Sequence, residues 1–140
     1  MAEVGEWYYS DKVKEHFLNP HNFLIEEPKE GEFDAEGEAG NMACGDIMKV
    51  WLKIDSKTKK IKDFKWRTWG CASAIASTSV FSDMVTEKGG MKLEDALKIT
   101  PQEIIKRLHG LPPRKIHCSV LVDQAFHNAI ENLNLPKDHP

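Results

Sequence analysis

Apolar and polar residues alternate from Ile47 to Ile54, and this period of two predicts a strand with one buried face. After the polar turn 55–60, the same spacing returns in Phe64, Trp66 and Thr68, which share a face. Two such runs joined by a short polar turn predict an antiparallel hairpin. The inward face of the first strand consists of Met48, Val50, Leu52 and Ile54, and its outward face of Lys49, Trp51 and Lys53.

Helical spacing dominates the rest of the chain. Ser10 is a good N-cap for a short helix that ends at Asn19-Pro20, with Val13, Phe17 and Leu18 as its apolar stripe. Further helices are predicted over Ala72–Lys88, ended by Gly89-Gly90, around Leu93–Ile99, from a capping box at Thr100, Pro101 and Glu103 to Gly110, and over Val120–Leu133.

Strands followed by helices indicate an α+β fold, in which helices pack against a small antiparallel sheet. We expect residues 1–140 to form one domain, because no repeat, linker or low-complexity tract divides them. The acidic stretch from Glu26 to Glu38 is most simply a solvated loop or a weak edge strand.

Composition narrows the functional classes. The net charge of −3 gives no general attraction to nucleic acid or anionic lipid. No apolar run approaches the roughly 18 residues of a membrane span. The first residues lack the features of a secretory signal or transit peptide, so we expect a cytoplasmic protein with neither a nucleic-acid nor a membrane partner.

The chain has three cysteines, Cys44, Cys71 and Cys118, and an odd number argues against a disulfide framework. Three unrelated buried thiols are the simplest alternative. However, each cysteine lies at the end of a predicted element, and Cys71 and Cys118 lie at predicted helix N-termini, which favour the thiolate. This placement favours one shared cysteine site. Asp46, on the same face of an extended segment as Cys44, and His117, beside Cys118, fit that site.

Three segments carry a family resemblance: Asn41–Asp46 (NMACGD), Gly70–Ser77 (GCASAIAS) and Leu111–Ser119 (LPPRKIHCS). They closely resemble the three motifs of the IscU family, the iron–sulfur cluster scaffolds that are also called NifU-like. The resemblance runs from Tyr9-Ser10 through the last helix. It implies a three-stranded sheet flanked by helices, which adds one strand near the acidic segment. It also implies a scaffold, rather than a turnover enzyme, that builds a [2Fe–2S] cluster from ferrous iron and desulfurase-derived sulfur for apoproteins.

The resemblance implies a role for each matched residue. Cys44, Cys71 and Cys118 match the cluster ligands, and Cys118 matches the candidate acceptor of persulfide sulfur. Asp46 matches a carboxylate that tunes cluster lability, and His117 matches an alternative fourth ligand. The segment recognised by a DnaK-type chaperone, which works with a J-protein, corresponds to Leu111, Pro112, Pro113, Arg114 and Lys115.

Other implied partners are a cysteine desulfurase, ferredoxin and apo iron–sulfur proteins; zinc in the apo form and a homodimer are further expectations. The chain departs from the family pattern at Met42, where proline is common, and at Arg114, where valine is frequent. The choice between Asp46 and His117 as fourth ligand stays open. The remaining histidines are expected to be structural: His16, His21, His109, His127 and His139.

Three alternatives belong to other classes. A SufU-type zinc-dependent sulfurtransferase would use the three cysteines and Asp46 as a zinc set. A hydrolase with Cys118 as nucleophile and His117 as base would leave Cys44 and Cys71 unexplained, and adjacent residues seldom reach that geometry. An electron carrier normally has four thiolate ligands to its cluster.

Overall fold

The computed structural model describes residues 9–26, 28–41, 46–111 and 115–137. Its regular elements, in chain order, are α1 (Asp11–Leu18), β1 (Ala35–Asn41), β2 (Asp46–Ile54), β3 (Ile61–Trp69), α2 (Ala72–Thr86), a 3-10 turn (Glu87–Gly89), α3 (Leu93–Ala96), α4 (Pro101–Arg107) and α5 (His117–Lys137).

The three strands form one antiparallel sheet in the order β1-β2-β3. Val50 in the central strand faces Gly37 in β1 and Trp66 in β3. The predicted hairpin and the α+β fold class are therefore confirmed. The additional strand that the family resemblance implied is β1, which begins at Ala35 near the end of the acidic stretch and forms one edge of the sheet.

The core lies between one face of the sheet and the helices α2 and α5. Met48, Val50 and Leu52 are fully buried, as their alternation predicted. Aromatic rings from three elements meet above them: Phe64 in β3 lies 5.5 Å from Phe81 in α2, which lies 5.2 Å from Phe126 in α5 (ring centroids). Burial of these rings fixes both helices on the sheet.

Helix α5 packs unusually closely on the edge strand β1. A Cβ atom at Gly37 would lie 2.3 Å from the backbone oxygen of Ala125, so only glycine permits this approach. Two asparagine side chains of α5 then donate to strand carbonyls: Asn128 to Glu38 over 2.8 Å and Asn132 to Glu36 over 2.6 Å. These bonds cover part of an edge that would otherwise be open to pairing.

The local end signals of the helices are confirmed. Ser10 caps α1 by accepting from the Val13 N–H, and Thr100 with Glu103 forms a complete capping box on α4. Helix α2 stops at Thr86, and Gly89 and Gly90 take the positive φ values of 84° and 100° that favour glycine.

Two expectations need correction. The α1 stripe is wrong in part: Val13 and His16 are buried, whereas Phe17 and Leu18 are 42% and 78% exposed. The second is the end of α3, which lies at Ala96, three residues before the predicted end. Trp51 points away from Met48 and Val50 as predicted, yet it is only 2% exposed, and it lines a cavity together with the 28–34 loop.

Candidate metal-binding site

Cys71 lies where the chain passes from the sheet into a helix. Strand β3 ends at Trp69, and Cys71 is the N-cap of α2 with extended backbone angles (φ −83°, ψ 176°). Its carbonyl accepts the first helical hydrogen bond, from the Ile75 N–H, over 3.1 Å. The side chain is half-buried, and its place at a helix start agrees with the prediction.

Cys118 lies in the first turn of α5 and is fully buried. The sequence predicted that it would precede this helix, but α5 begins at His117, three residues before the expected Val120. A tight turn forms the start: both the N–H and the hydroxyl of Ser119 donate to the Ile116 carbonyl, over 3.1 and 2.8 Å. The helix therefore begins before the apolar spacing that predicted it. The turn can start the helix because it pairs backbone groups that a helix N-terminus otherwise leaves unpaired.

Packing of α2 beside α5 brings these two helix starts together. The Sγ atoms of Cys71 and Cys118 lie 3.7 Å apart, although 47 residues separate them in the chain. A disulfide would need about 2.05 Å, so the two sulfurs share a hydrogen bond instead. Thiolate ligands about 2.3 Å from one tetrahedral metal ion lie about 3.75 Å from each other. The observed separation therefore fits two ligands of the same metal ion.

The Cys71 thiol is strongly acidified, with its pKa lowered from 9.0 to about 5. The largest cause is the hydrogen bond from Cys118, which stabilises the Cys71 thiolate, while burial opposes the shift. The amide of Ala74, the Lys115 ammonium and the amide of Ser73 lower the pKa further. No described amide is close enough, with the right angle, to donate a capping hydrogen bond to this sulfur. We therefore attribute the effect of the two amides on the Cys71 pKa to the positive end of helix α2.

Lys115, a residue of the predicted chaperone segment, also acts on the cysteine site, because its charge lowers the pKa of Cys71. The available signal was a lysine three residues before the cysteine of the third motif. That spacing does not reveal that the charge acts on a cysteine from the second motif.

The remaining predicted site residues are described only in part. Cys44 lies outside the described residues, as do Pro112, Pro113 and Arg114. Asp46 is the first residue of β2, and its neighbour Ile47 pairs with Trp69 of β3, so the backbone of Asp46 lies at the same end of the sheet as Cys71. His117 begins α5 directly before Cys118. Leu111 is partly buried and packs against the core.

Four exposed apolar residues lie close in sequence to Asp46, Cys71 or Cys118. Trp69 is 51% exposed two residues before Cys71, and Ile116 is 42% exposed two residues before Cys118. Large apolar side chains next to a site mark a surface that suits protein partners. We call these residues the apolar rim: Ile47, Trp69, Ile116 and Val120.

The two cysteine sulfurs, held at adjoining helix starts of an α+β fold, have the spacing that thiolate metal sites require. The family model for the NifU-like N terminal domain matches residues 8–137, so the chain belongs to that family. The resemblance inferred from the three cysteine motifs is thereby confirmed.

Individual relatives agree with this membership. The chain is 43% identical over 122 residues to the iron-sulfur cluster assembly scaffold protein IscU 1 of Archaeoglobus fulgidus, covering 87% of this chain and 74% of the relative. It is 43% identical over 128 residues to the nitrogen fixation protein NifU of a Nostoc species, covering 90% of this chain but only 42% of the relative.

A solved structure supports the fold alone. The N-terminal part of a nitrogen-fixing NifU-like protein from Brucella abortus superposes with a TM-score of 0.61 at 18% identity, covering 94% of this chain and 96% of that one. Within the described part of the chain, none of the helices has the length and apolar character needed to cross a membrane.

Proposed function

We propose that this chain is a scaffold on which an iron–sulfur cluster is assembled and from which it passes to apoproteins. One observation carries the proposal: two cysteine sulfurs lie 3.7 Å apart. The lowered pKa of Cys71, about 5, favours its thiolate form. Thiolates are the form that binds iron. The Archaeoglobus relative is itself named an assembly scaffold.

The cluster is the cargo of such a protein, and we assign its ligands from the sulfur geometry. Cys71 and Cys118 have the spacing of two ligands on one iron, and the proton that they share leaves as the metal binds. Cys44 then binds the second iron of a [2Fe–2S] cluster together with Asp46 or His117. An oxygen or nitrogen ligand at that corner holds iron less firmly than a fourth thiolate, which suits assembly and release.

The two described cysteines differ in access, which bears on sulfur delivery. Cys118, the predicted persulfide acceptor, is fully buried, whereas Cys71 is half-buried and acidified. Transfer to Cys118 therefore requires the start of α5 to move. Mass spectrometry of Cys71→Ser and Cys118→Ser chains after exposure to a persulfidated desulfurase identifies the acceptor: sulfur that persists on the Cys118→Ser chain, but not on Cys71→Ser, would assign it to Cys71.

Partner binding is proposed for the apolar rim and for the segment from Leu111 to Lys115. Three rim residues lie two positions from a cysteine in sequence, and the fourth, Ile47, pairs with Trp69. A cysteine desulfurase or an apoprotein such as apo-ferredoxin would dock on this exposed apolar surface. A DnaK-type chaperone with its J-protein would use the Leu111–Lys115 segment. We propose carriage rather than catalytic turnover. A cytoplasmic location, a homodimer and a single domain over residues 1–140 stay predictions.

The test is anaerobic reconstitution with ferrous iron, cysteine and a cysteine desulfurase, followed by visible absorption while apo-ferredoxin is added. We expect iron–sulfur bands to grow on this chain and then to move to the ferredoxin. A Cys71→Ser chain is the control and should develop weak bands. If no bands form, while zinc stays bound and sulfur still passes through a cysteine, a zinc-dependent sulfur relay replaces this proposal.

A further inference from the structure

A second group of metal-ligating side chains lies where α1, the turn after it and α2 meet. It consists of His16, His21 and Asp83, whose candidate ligand atoms all lie within 4.8 Å of one another. Asp83 follows Cys71 by twelve residues on the same helix, which is about 18 Å along the helix axis. The cluster is therefore separate from the cysteine site.

The first histidine is held rigidly. His16 is only 4% exposed, and its Nδ1 lies 2.7 Å from the hydroxyl of Ser79. A histidine that binds metal through one ring nitrogen normally hydrogen-bonds a second partner through the other, which fixes the tautomer and the ring. Ser79 supplies that partner, so Nε2 is the metal-binding nitrogen of His16.

The second histidine is fixed through its backbone. The N–H of His21 donates to the Ser79 hydroxyl over 2.8 Å, and its carbonyl accepts from the Trp66 indole over 2.7 Å. The next residue, Asn22, has the uncommon φ of 65° and donates to the Ser82 hydroxyl over 2.9 Å. These contacts hold the His21 ring beside Asp83, with Nδ1 and Oδ2 2.6 Å apart.

From this arrangement we propose that His16, His21 and Asp83 form a second metal site, for Zn²⁺ or a similar first-row divalent ion. Two imidazoles and one carboxylate are a donor set that zinc accepts, and the fourth position takes water. The cation replaces the hydrogen between His21 Nδ1 and Asp83 Oδ2, and the imidazole then carries its hydrogen on Nε2.

Binding requires the side chains to shift by up to about 1.5 Å. Tetrahedral zinc with bonds of 2.0–2.1 Å places nitrogen and oxygen ligands about 3.3 Å apart. The 2.6 Å contact must open slightly, and the wider separations, up to 4.8 Å, must close. The side chains of His21 and Asp83 are 35% and 30% exposed, which gives them room to move and gives the ion a route in.

A bound ion would fasten α1 to α2. Because the three ligands come from separate segments, only the folded arrangement holds them together, and binding therefore stabilises that arrangement. This role does not depend on the proposed scaffold function. It also means that zinc found with the purified chain need not occupy the cysteine site.

The test uses the full chain with Cys44, Cys71 and Cys118 all replaced by serine, so that thiolates cannot contribute. We expect isothermal titration to show one zinc ion per chain, and zinc to raise the midpoint of thermal unfolding. Replacing His21 with alanine or Asp83 with asparagine in this background should weaken zinc binding at least tenfold. A folded cysteine-free chain that binds no zinc, or a His21→Ala chain that binds it equally well, overturns the proposal.

The matched control is His127→Ala. His127 also pairs with a carboxylate, Asp123, at 3.4 Å, and its side chain is 46% exposed. Loss of this histidine should leave zinc affinity unchanged. Should the cysteine-free chain fail to fold, the native chain titrated with two equivalents of Co²⁺ gives the same answer. A second equivalent that adds d–d bands without further thiolate charge transfer, and that is lost in His21→Ala, supports the site. Persistence of those added bands in His21→Ala contradicts it.

Discussion

The Nε1 atom of Trp66 donates a 2.7 Å hydrogen bond to the carbonyl oxygen of His21. This bond joins the centre of β3 to the turn that follows α1. Trp66 is fully buried, and the ring of Phe23 packs edge-on against it at 5.1 Å. The sheet therefore holds in place the backbone of one ligand of the proposed second metal site.

Two tryptophan substitutions should differ in their effect on stability. Trp66→Phe removes the indole donor to the His21 carbonyl, which then keeps only the Ser82 hydroxyl at 3.2 Å among the described donors. We expect this loss to lower the free energy of unfolding by about 1–3 kcal/mol. In Trp51, equally buried, no described group accepts from Nε1, so Trp51→Phe removes an unsatisfied donor and should cost less. Urea unfolding of both variants compares the two costs, and equal losses would contradict this account.

Gly37→Ala tests the close packing of α5 on β1. The new Cβ would lie 2.3 Å from both the Ala125 oxygen and the Ala129 nitrogen, and these are backbone atoms that only a helix shift can move. We expect a loss of roughly 1–3 kcal/mol or more in the free energy of unfolding. Glu36→Ala, one position away and on the opposite face, is the control and should change it by less than about 0.5 kcal/mol.

The acidity of Cys71 predicts a pH dependence in the metal-free chain. The pKa of Cys71 is lowered from the ordinary 9.0 to about 5, so its thiolate stabilises the folded chain. This stabilisation is complete above pH 9 and is lost as the pH falls through 5. Stability from this group should therefore rise with pH between those values. The rate of alkylation of Cys71, followed against pH, should show a midpoint near 5.

Variants at Cys118 isolate the cause of that acidity. Cys118→Ala removes the donor and should raise the pKa of Cys71, whereas Cys118→Ser retains a hydroxyl that can donate. An alkylation midpoint that does not move in Cys118→Ala would show that the second sulfur is not responsible.

His16 predicts a second pH dependence, again without metal. Burial first, and then the neighbouring His21, lower the pKa of His16 below 6.5, while Asp83 and Glu15 oppose the shift. The unfolded chain therefore binds the proton more readily, and this contribution to stability is lost as pH falls below 6.5.

Denaturant midpoints on either side of pH 6.5 measure the effect. His16→Asn keeps a group able to bond Ser79 but does not titrate, so its midpoint should change less with pH than that of the parent. The exposed His127→Asn is the control and should keep the parental dependence. A parental pH dependence in His16→Asn would assign the effect to other groups.

Asp46→Ala tests the weak corner of the proposed cluster site. If Asp46 holds one iron loosely, its loss should give a cluster that persists longer and is transferred more slowly to apo-ferredoxin. Decay of the visible bands, with and without the acceptor, measures both rates. Equal transfer rates in the variant and the parent would remove Asp46 from this role and direct attention to His117.

Much of the fold follows from local sequence. The alternation from Ile47 to Ile54 and the capping box at Thr100 act over a few residues, and both predictions are confirmed. The cysteine motifs likewise identified the family, because three motifs in one order are specific. The start of α5 was misplaced, since the turn at Ile116–Ser119 begins the helix ahead of its apolar periodicity.

The sequence by itself determined most of the elements, the family and the cysteines of the candidate site. Only the tertiary structure decided that Cys71 and Cys118 lie 3.7 Å apart, with Lys115 acting on the first, and that His16, His21 and Asp83 share one junction. The physical reason is range. Periodicity and caps depend on neighbours a turn away, whereas these contacts join segments 40 to 70 residues apart, which meet only when α1, α2 and α5 pack.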